Sequence, residues 1–194
     1  MNAKRPSHVD LTIACALTAL MAATRFHHFG SSIHLPDASL AVFFLGGFFL
    51  RRAALFGVYA AGAVLIDFLA IMYGGVSDWC VTAAYAFLLL TYACMWWAGA
   101  WCVKRAAYSW PAYLRIAGVL LGATALAFFI SNASFYAFSG YFSELTVVEY
   151  SARVAKYFPA YLASAAAYVA AAFAVQFVVG LAARARPGAT PGGT

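Results

Sequence analysis

The clearest structural signal in this chain is the stretch AALFGVYAAGAVLIDFLAIMY at residues 53–73. Only one of its side chains, that of Asp67, carries a charge. A helix needs about 20 predominantly apolar residues to cross the hydrocarbon core of a bilayer, and this stretch has that length. We therefore predict a membrane-spanning helix over residues 53–73.

The composition of the whole chain agrees with that prediction. Of its 194 residues, 65% are hydrophobic and only 9% are charged, whereas soluble domains have about 25% charged residues. A surface with so few charges would be poorly solvated by water, so we predict an all-α membrane protein. The net charge of +6 does not indicate nucleic-acid binding, because the basic residues punctuate the apolar runs and form no single basic patch.

On both sides of residues 53–73 the chain divides into further apolar segments, and we predict six transmembrane helices in all. They cover residues 9–28, 33–50, 53–73, 80–103, 116–138 and 159–183. The second segment reaches spanning length only if it begins at Ile33, before Pro36. The sixth begins at Pro159, and a proline in the first turn of a helix sacrifices no hydrogen bond. Together they predict one domain over residues 1–186, followed by a flexible cytoplasmic tail at 187–194.

The basic residues predict how these segments are oriented. Nine of the twelve lie in loops that alternate to one side, and the other three, Arg25, Arg153 and Lys156, lie on the opposite side. Cytoplasmic loops carry the excess of lysine and arginine, so both termini are predicted to be cytoplasmic, in a bacterial inner membrane. Lys4 and Arg5 before an apolar run also resemble a signal peptide. We favour a first span, because every later segment is apolar as well.

The loop before the sixth span contains the signature of a short helix. Thr146 with Glu149 three residues later predicts a capping box, and Val147, Tyr150 and Val154 then recur at helical spacing. We predict a short amphipathic helix that lies on the extracytoplasmic face of the membrane. It serves either as a connector between spans or as a lid over a cavity, and the sequence leaves both open.

The motifs of several enzyme classes do not occur in this sequence. There is no GxxxxGK phosphate loop, no HExxH, no GxSxG and no CxxC. The chain is therefore not expected to hydrolyse ATP, or to act as a metalloprotease, a serine esterase or a dithiol oxidoreductase. Six spans with almost no soluble loop leave two roles: carrying a ligand across the membrane, or binding a cofactor or lipid between the helices.

Cys80 is the cysteine that this topology places at the outer surface. Cys15, Cys94 and Cys102 lie within spans or at their cytoplasmic ends, so no intrachain disulfide is predicted for Cys80. A free thiol that faces an oxidising compartment is unusual. Three interpretations remain open: an intermolecular disulfide, a metal or cofactor ligand, and a cysteine without function.

Asp67 is the one carboxylate well inside a span, about 9 Å below its outer end at 1.5 Å per residue. A buried charge there is costly unless it is paired, so intramembrane carboxylates are functional hypotheses by default. The alternative is an ion pair with Arg25 or His28, which lie three residues apart on one face of the first span. The adjacent His27 points elsewhere, because consecutive residues of a helix do not face each other.

The remaining candidates also lie in the outer half of the predicted bundle. Tyr85 lies about 140° around the fourth helix from Cys80, so the two share a cavity only if that cavity is broad. Trp79 belongs to an outer aromatic cluster that either anchors the interface or forms an apolar wall for a planar ligand. The full set of candidate binding residues is His28, Asp67, Asp78, Trp79, Cys80, Tyr85 and Arg153. Their position predicts a ligand that is captured from outside.

These features resemble a known class of transporter. Six spans, cytoplasmic termini and an outward-facing cluster are similar to the S-components of energy-coupling-factor (ECF) transporters. More narrowly, the chain resembles the BtuM family of cobalamin transporters, at Phe26-His27-His28, Asp67, Asp78-Trp79-Cys80 and Tyr85. The likeness in layout covers the whole chain, whereas the specific likeness is limited to these positions.

The resemblance implies a function, a site and partners. It implies a protein that binds cobalamin, as its substrate, in a pocket at the extracytoplasmic face. It implies that Cys80 lies next to the cobalt as an axial ligand, with His28, Asp67 and Tyr85 as the surrounding polar positions. S-components typically work with a membrane coupling subunit and two ATPases, and solitary members do without them, so the resemblance allows either arrangement.

The chemistry of a thiolate extends this expectation. A thiolate is a soft ligand that suits a transition metal, and on cobalt it would donate electron density and weaken the ligand on the opposite face. We therefore predict that Cys80 promotes loss of an upper ligand such as cyanide, with or without reduction of the cobalt. Three other functions remain open: a transporter subunit for another vitamin or a metal ion, a membrane redox or haem protein that uses His28 and Cys80, and a structural subunit without a ligand.

Overall fold

The computed structural model describes residues 7–26, 35–103 and 109–184. This part of the chain is all-helical, with 83% helix and no strand. In chain order, the helices are α1 (His8–Phe26), α2 (Ser39–Phe49), α3 (Ala53–Gly74), a 3₁₀ helix (Ala83–Phe87), α4 (Leu88–Val103), α5 (Trp110–Phe138), α6 (Val147–Ala155) and α7 (Phe158–Arg184). The predicted all-α class is confirmed for the described residues.

Four of these helices are long and apolar enough to cross a membrane: Ala53–Gly74, Ala83–Val103, Trp110–Phe138 and Phe158–Ala182. They leave large apolar side chains exposed along their length, such as Phe68 of α3, Phe129 of α5 and Phe177 of α7. Apolar side chains in such numbers on the outside of a bundle suit contact with lipid. The chain therefore has the helices of a multi-pass membrane protein, with four candidate spans among the residues that the structure describes.

Contacts between helix ends show how the bundle runs. Arg52, just before α3, forms an ion pair of 3.9 Å with Asp10 in the first turn of α1. At the opposite end, Arg25 in the last turn of α1 binds Asp67 of α3, so α1 and α3 are parallel. We call the end that contains Arg25 and Asp67 the upper end, and the end that contains Asp10 and Arg52 the lower end.

The second predicted span, residues 33–50, differs most from the structure. Its helix α2 has only 11 residues, Ser39–Phe49, which is about 16 Å at 1.5 Å per residue. The helix begins after Pro36 because the Asp37 carboxylate accepts hydrogen bonds from the backbone N–H of Ser39 at 3.0 Å and from its hydroxyl at 2.7 Å. Residues 33 and 34 lie outside the described part of the chain.

Other predicted boundaries shift by a few residues for local reasons. Cys80 precedes the fourth helical segment, which begins as a 3₁₀ turn at Ala83, where the Thr82 hydroxyl accepts from the N–H of Ala84 at 3.2 Å. The fifth helix begins at Trp110 and not at residue 116, because Pro111 fits its first turn. The predicted capping box is confirmed at the start of α6. Its relation to a membrane surface remains a prediction.

The core of the bundle is the crossing of α2 and α4. Every residue of α2 from Ser39 to Gly47 is buried. Gly47 lies against the backbone carbonyl of Trp96, and Gly99 lies against that of Phe44. A Cβ atom at Gly47 or Gly99 would lie 1.9 Å or 2.0 Å from those oxygens, so only glycine permits this approach. Next to the crossing, Phe43 stacks on Tyr92 with ring centroids 4.2 Å apart.

The irregular backbone before α2 is satisfied by its neighbours. The Thr24 hydroxyl of α1 accepts from the N–H of Ala38 at 3.2 Å. From α7, the Ser164 hydroxyl donates to the Asp37 carbonyl at 2.9 Å, and the Tyr168 hydroxyl donates to the Pro36 carbonyl at 2.8 Å. Non-helical backbone at membrane depth is tolerated where protein groups supply its hydrogen bonds. These contacts hold the upper end of α2 between α1 and α7.

Candidate functional site

A cavity of about 340 Å³ opens in the upper half of the bundle. Most of its lining surface is apolar, and its polar side chains come from α1, α3, α4, α5, α7, the 3₁₀ helix and the segments before α2 and after α3. Small-molecule sites are typically clefts of about 300–1,000 Å³ lined in this way, so the volume lies at the lower end of that range. Three of the residues that the sequence analysis selected, Asp67, Cys80 and Tyr85, line the cavity, and we treat it as the candidate ligand site.

Arg25 is at the centre of the polar side of this cavity. Its Nε and Nη2 donate to the two carboxylate oxygens of Asp67, and its Nη1 donates to the hydroxyls of Ser39 at 2.9 Å and Tyr92 at 2.6 Å. The side chains of Arg25 and Asp67 are only 10% and 23% exposed. Of the two interpretations open for Asp67, the structure shows the ion pair with Arg25.

Tyr85 completes the set of donors to Asp67. The 3₁₀ helix places its hydroxyl 2.6 Å from Asp67 Oδ2, to which it donates. The Asp67 carboxylate thus accepts two hydrogen bonds from α1 and one from the 3₁₀ helix. These three bonds connect α1, α3 and the start of the fourth helical segment. A bidentate arginine pair with an added hydroxyl donor is a strong arrangement for a partly buried carboxylate.

A second carboxylate lies beside this pair, at the start of α2. Asp37 Oδ2 is 3.8 Å from Arg25 Nη1, while its Oδ1 is held by Ser39. A negative charge is favoured at the N-terminus of a helix, where the first N–H groups have no partner within the helix. Asp37 therefore binds the first N–H of α2 and also adds a negative charge to the polar side of the cavity.

Cys80 lies on the segment that connects α3 to the 3₁₀ helix. This segment begins where Gly75 ends α3 with a positive φ of 67°, and Val81 closes it with a 2.7 Å backbone hydrogen bond to the carbonyl of Asp78. Cys80 is free and exposed, and it also lines the cavity. Partial burial raises the pKa of its thiol above the ordinary value of 9.0, and the Asp67 carboxylate raises it further, whereas Arg25 lowers it.

The structure brings together Asp67, Cys80 and Tyr85, which all line the cavity, but not the other candidates. Trp79 lies next to Cys80 but stacks on Tyr141, with ring centroids 3.8 Å apart. Asp78 and Arg153 are not among the residues that line this cavity. His28 lies outside the described part of the chain.

Several cavity residues were not predicted from the sequence. Tyr92 is hidden in an apolar run, and nothing in the local pattern shows which way its hydroxyl faces. Asn132 carries a clearer signal, because an asparagine inside a transmembrane helix is unusual and needs a reason. Beyond these two, the unpredicted polar lining consists of Asp37, Ser77, Thr91, Ser131 and Tyr161.

The described residues contain no group of three or more His, Cys, Asp or Glu side chains that could hold a metal ion. The cavity instead contains one thiol, a cluster of charged side chains that pair with one another, and apolar side chains. No protein-family model and no curated protein matches this chain.

Proposed function

We propose that this protein is a membrane transport protein that binds cobalamin in the cavity at its upper end, with Cys80 as an axial ligand to the cobalt. The single observation that carries the proposal is that the one predicted outer thiol lines a cavity together with Asp67 and Tyr85. These are three of the positions at which the chain resembles the BtuM family, and they lie on α3, on the segment that follows it and on the 3₁₀ helix.

The proposal includes a membrane orientation. The upper end faces the periplasm of a bacterial inner membrane, α1 and α2 complete six membrane segments, and both termini are cytoplasmic. The positive-inside rule supports this orientation, because Arg51 and Arg52 lie at the lower end, between α2 and α3, and Arg115 lies near the start of α5. The segment before α2 adds support, since discontinuous helices with protein-satisfied backbone are common at transporter binding sites.

The cavity volume limits how the corrinoid is held. About 340 Å³ is at the lower end of the range for drug-sized ligands, and a corrin ring with its side chains is larger than such ligands. The cavity would therefore take one face of the corrinoid, against the wall that contains Cys80. Its mainly apolar lining suits the flat face of the ring.

The thiol chemistry follows from the position of Cys80. Because its pKa is raised, the group is a thiol at neutral pH and loses a proton when it binds cobalt, as metal-binding cysteines do. The thiolate would replace water or the nucleotide base of the corrinoid on the face of cobalt opposite the cyanide, and the displaced group would leave with its own electron pair. The new Co–S bond would add electron density to cobalt and weaken the bond to the cyanide. The cyanide then leaves with the electron pair of its bond, which requires no change in the oxidation state of the cobalt.

A spectrum of the bound corrinoid tests the proposal. Protein purified with cyanocobalamin is expected to show a corrinoid absorption that differs from that of free cyanocobalamin, and Cys80→Ser is expected to lose this difference and the release of cyanide. Cys15→Ser is the matched control, because Cys15 is also free and exposed but lies in α1, away from the cavity. An unchanged spectrum and unchanged cyanide release in Cys80→Ser would overturn Cys80 as the ligand.

The pH dependence of binding gives a second test of the same bond. Since cobalt must displace a proton from the thiol, the affinity of the wild-type protein is expected to rise with pH until the thiol is ionised. Cys80→Ser has no such proton to lose near neutral pH, so its affinity is expected to change less. Equal pH dependence in the two proteins would contradict thiolate binding.

The same cavity supports one alternative, a transporter subunit of this architecture for a smaller vitamin. Its volume favours such a ligand, because about 340 Å³ can enclose a small molecule completely. Protein that shows no corrinoid absorption after incubation with cobalamin, but carries a smaller molecule from the cell, would favour this alternative.

Whether a coupling subunit and ATPases take part is tested by cobalamin uptake in cells that lack them.

A further inference from the structure

We propose that Asn132 of α5 recognises a carboxamide group of the ligand, with Ser131 beside it, and that the Arg25–Asp67–Tyr85 cluster holds the helical segments around the cavity in position without binding ligand. The inference rests on the proposed function, since it names the chemical groups that this cavity selects. It departs from the resemblance, which implies Asp67 and Tyr85 as polar positions around the ligand.

The charged cluster has little hydrogen-bonding capacity left. Asp67 already accepts from two nitrogens of Arg25 and from the Tyr85 hydroxyl. Arg25 uses its Nη1 on Ser39 and Tyr92 as well, which accounts for four of the five N–H groups of a guanidinium. Apart from the one N–H that remains on Arg25, a ligand could bind the cluster only by breaking one of these charge-assisted bonds, and such bonds are stronger than neutral ones. The cluster is therefore better suited to hold three helical segments together.

Asn132 has capacity that the charged cluster lacks. Its Nδ2 donates one hydrogen bond to the backbone carbonyl of Phe128 at 2.9 Å, which restrains the side chain. Within the described chain, no other hydrogen bond reaches its amide, so the second N–H and the carbonyl oxygen are available. Asn132 and Ser131 both line the cavity. A polar ligand in the cavity could form hydrogen bonds with these two remaining groups.

Asn132 lies at a depth in the bundle similar to that of Asp67. It lies six residues before the end of α5 at Phe138, and Asp67 lies seven residues before the end of α3 at Gly74. At 1.5 Å per residue these are depths of about 9 and 10 Å below the upper end. Asn132 on α5 and Asp67 on α3 thus line one cavity at similar depth, from two different helices.

The free groups of Asn132 define the ligand chemistry. One N–H donor and one carbonyl acceptor on the same amide match a primary carboxamide, which presents the complementary acceptor and donor. An ionised carboxylate would satisfy only the donor and would face the Asn132 carbonyl oxygen with negative charge. Cobalamin carries primary carboxamides at the edge of its ring, so Asn132 is assigned to one of them.

A binding cycle between the side chain and the ligand tests this inference. Purified wild-type protein and Asn132→Ala are titrated with cyanocobalamin and with each derivative in which one side-chain carboxamide has been hydrolysed to a carboxylate. Asn132→Ala is expected to weaken binding of cyanocobalamin about tenfold, the size expected for two neutral hydrogen bonds. For one derivative, wild-type binding is expected to weaken as well, and the further loss from Asn132→Ala is expected to disappear.

Two control variants separate recognition from folding. Ser134→Ala removes a buried hydroxyl of α5 that bonds only the Ser131 carbonyl, and it is expected to keep wild-type affinities. Tyr85→Phe is expected to lower thermal stability but to keep the order of affinities among the derivatives. If Asn132→Ala yields no folded protein, Asn132→Ser supplies the same cycle with a smaller change in polarity.

The outcomes distinguish this inference from the proposed function. If Asn132→Ala binds every corrinoid as the wild type does, or loses the same factor for all derivatives, Asn132 does not recognise a carboxamide, while cobalamin binding by the wild type still stands. If Tyr85→Phe alters the order of affinities, the charged cluster contacts ligand and the positioning role is wrong. If the wild type binds no corrinoid, the proposed function itself fails, and the inference fails with it.

Discussion

The α2–α4 crossing and the cavity above it show two different ways of joining helices. At the crossing, Gly47 and Gly99 let two backbones touch, and no space for a ligand remains. At the upper end, the helices stand apart around about 340 Å³ and are connected by the hydrogen bonds of Arg25 and Asp67.

In this fold, the closest helix packing and the candidate binding cavity lie in different parts of the bundle. In a membrane, helix association depends on close packing and on hydrogen bonds between helices, because lipid is as apolar as the helix surface. The crossing uses the first of these and the upper end uses the second. A ligand can therefore enter the upper half without disturbing the contact that brings α2 and α4 together.

The largest effect on stability is expected from Gly47→Ala at the α2–α4 crossing. The new Cβ would lie 1.9 Å from the carbonyl oxygen of Trp96, and a backbone atom cannot move aside as a flexible side chain can. Overpacking of a core typically costs about 1–3 kcal/mol, and this contact is expected at or above the top of that range. The measurement is the yield of monodisperse protein in detergent and its thermal midpoint.

Gly122→Ala is the matched control for that change. Gly122 is a helical glycine of α5 with nothing within 4 Å of the added Cβ. It is expected to fold normally, and to gain slightly in stability, because alanine is the better helix former by about 1 kcal/mol. If both variants behave alike, the close crossing does not contribute what we assign to it.

A smaller effect is expected from Arg25→Leu at the upper end. Removing one partner of a buried ion pair leaves the other charge without compensation, which typically costs about 3–5 kcal/mol. The partial exposure of Asp67 places the expected loss of unfolding free energy near the lower figure. The thermal midpoint should fall, and the double variant Arg25→Leu/Asp67→Leu should recover part of the loss.

The control for this prediction is Arg153→Leu on α6. Arg153 does not line the cavity, and surface substitutions usually change stability by less than about 0.5 kcal/mol. A double variant that is no more stable than Arg25→Leu alone would show that the arginine contributes mainly through Ser39 and Tyr92, and not through Asp67.

The smallest effect is expected at α6, which is attached to the upper end by Tyr150 packing against Tyr136 and Phe142. The hydrogen bonds from Thr146 lower the pKa of Glu149 below 4.5. The capping box therefore contributes stability at pH above about 4.5, and this contribution is lost as the pH falls through the lowered pKa. Glu149→Ala is expected to speed amide hydrogen exchange in α6 at neutral pH, but not at a pH low enough to protonate the Glu149 carboxylate of the wild type.

Glu144→Ala removes a neighbouring exposed carboxylate that takes no part in the capping box, and its α6 amides are expected to exchange as in the wild type. Local openings of a short surface helix are measured by hydrogen exchange without global unfolding. Faster exchange in α4 of the Glu149→Ala variant would mean that α6 supports the bundle and not only the upper end.

Much of the fold was predictable because its signals are local. Apolar runs of membrane length predicted the helices α3, α5 and α7, and Thr146 with Glu149 predicted the start of α6. The ion pair of Arg25 with Asp67 was one of two alternatives, because a charge inside a span requires a partner. The predicted start of the second span was wrong, because α2 begins only at Ser39, next to the Asp37 carboxylate. The backbone before it forms hydrogen bonds with Ser164 and Tyr168 of α7, which no local pattern reveals.

The candidate site was predictable only in part, for a related reason. Cys80, Asp67 and Tyr85 stood out by residue type and were found at one cavity. Tyr92 and Asn132 were missed because an aromatic hydroxyl or an amide in an apolar run becomes significant only when the direction it faces is known. That direction depends on how each helix is rotated against its neighbours.

Composition and apolar runs were enough to predict a helical membrane-type protein and to place most of its helices. Residue type was enough to show which side chains are too polar to lie in lipid without a partner. Three features became visible only in the tertiary structure. The helix α2 is short and buried, two of the carboxylates share one arginine, and Asn132 shares a cavity with Cys80. The physical reason is range: helix formation depends on residues within a few positions of one another, whereas the pairing of charges and the shape of a cavity depend on close packing between distant segments.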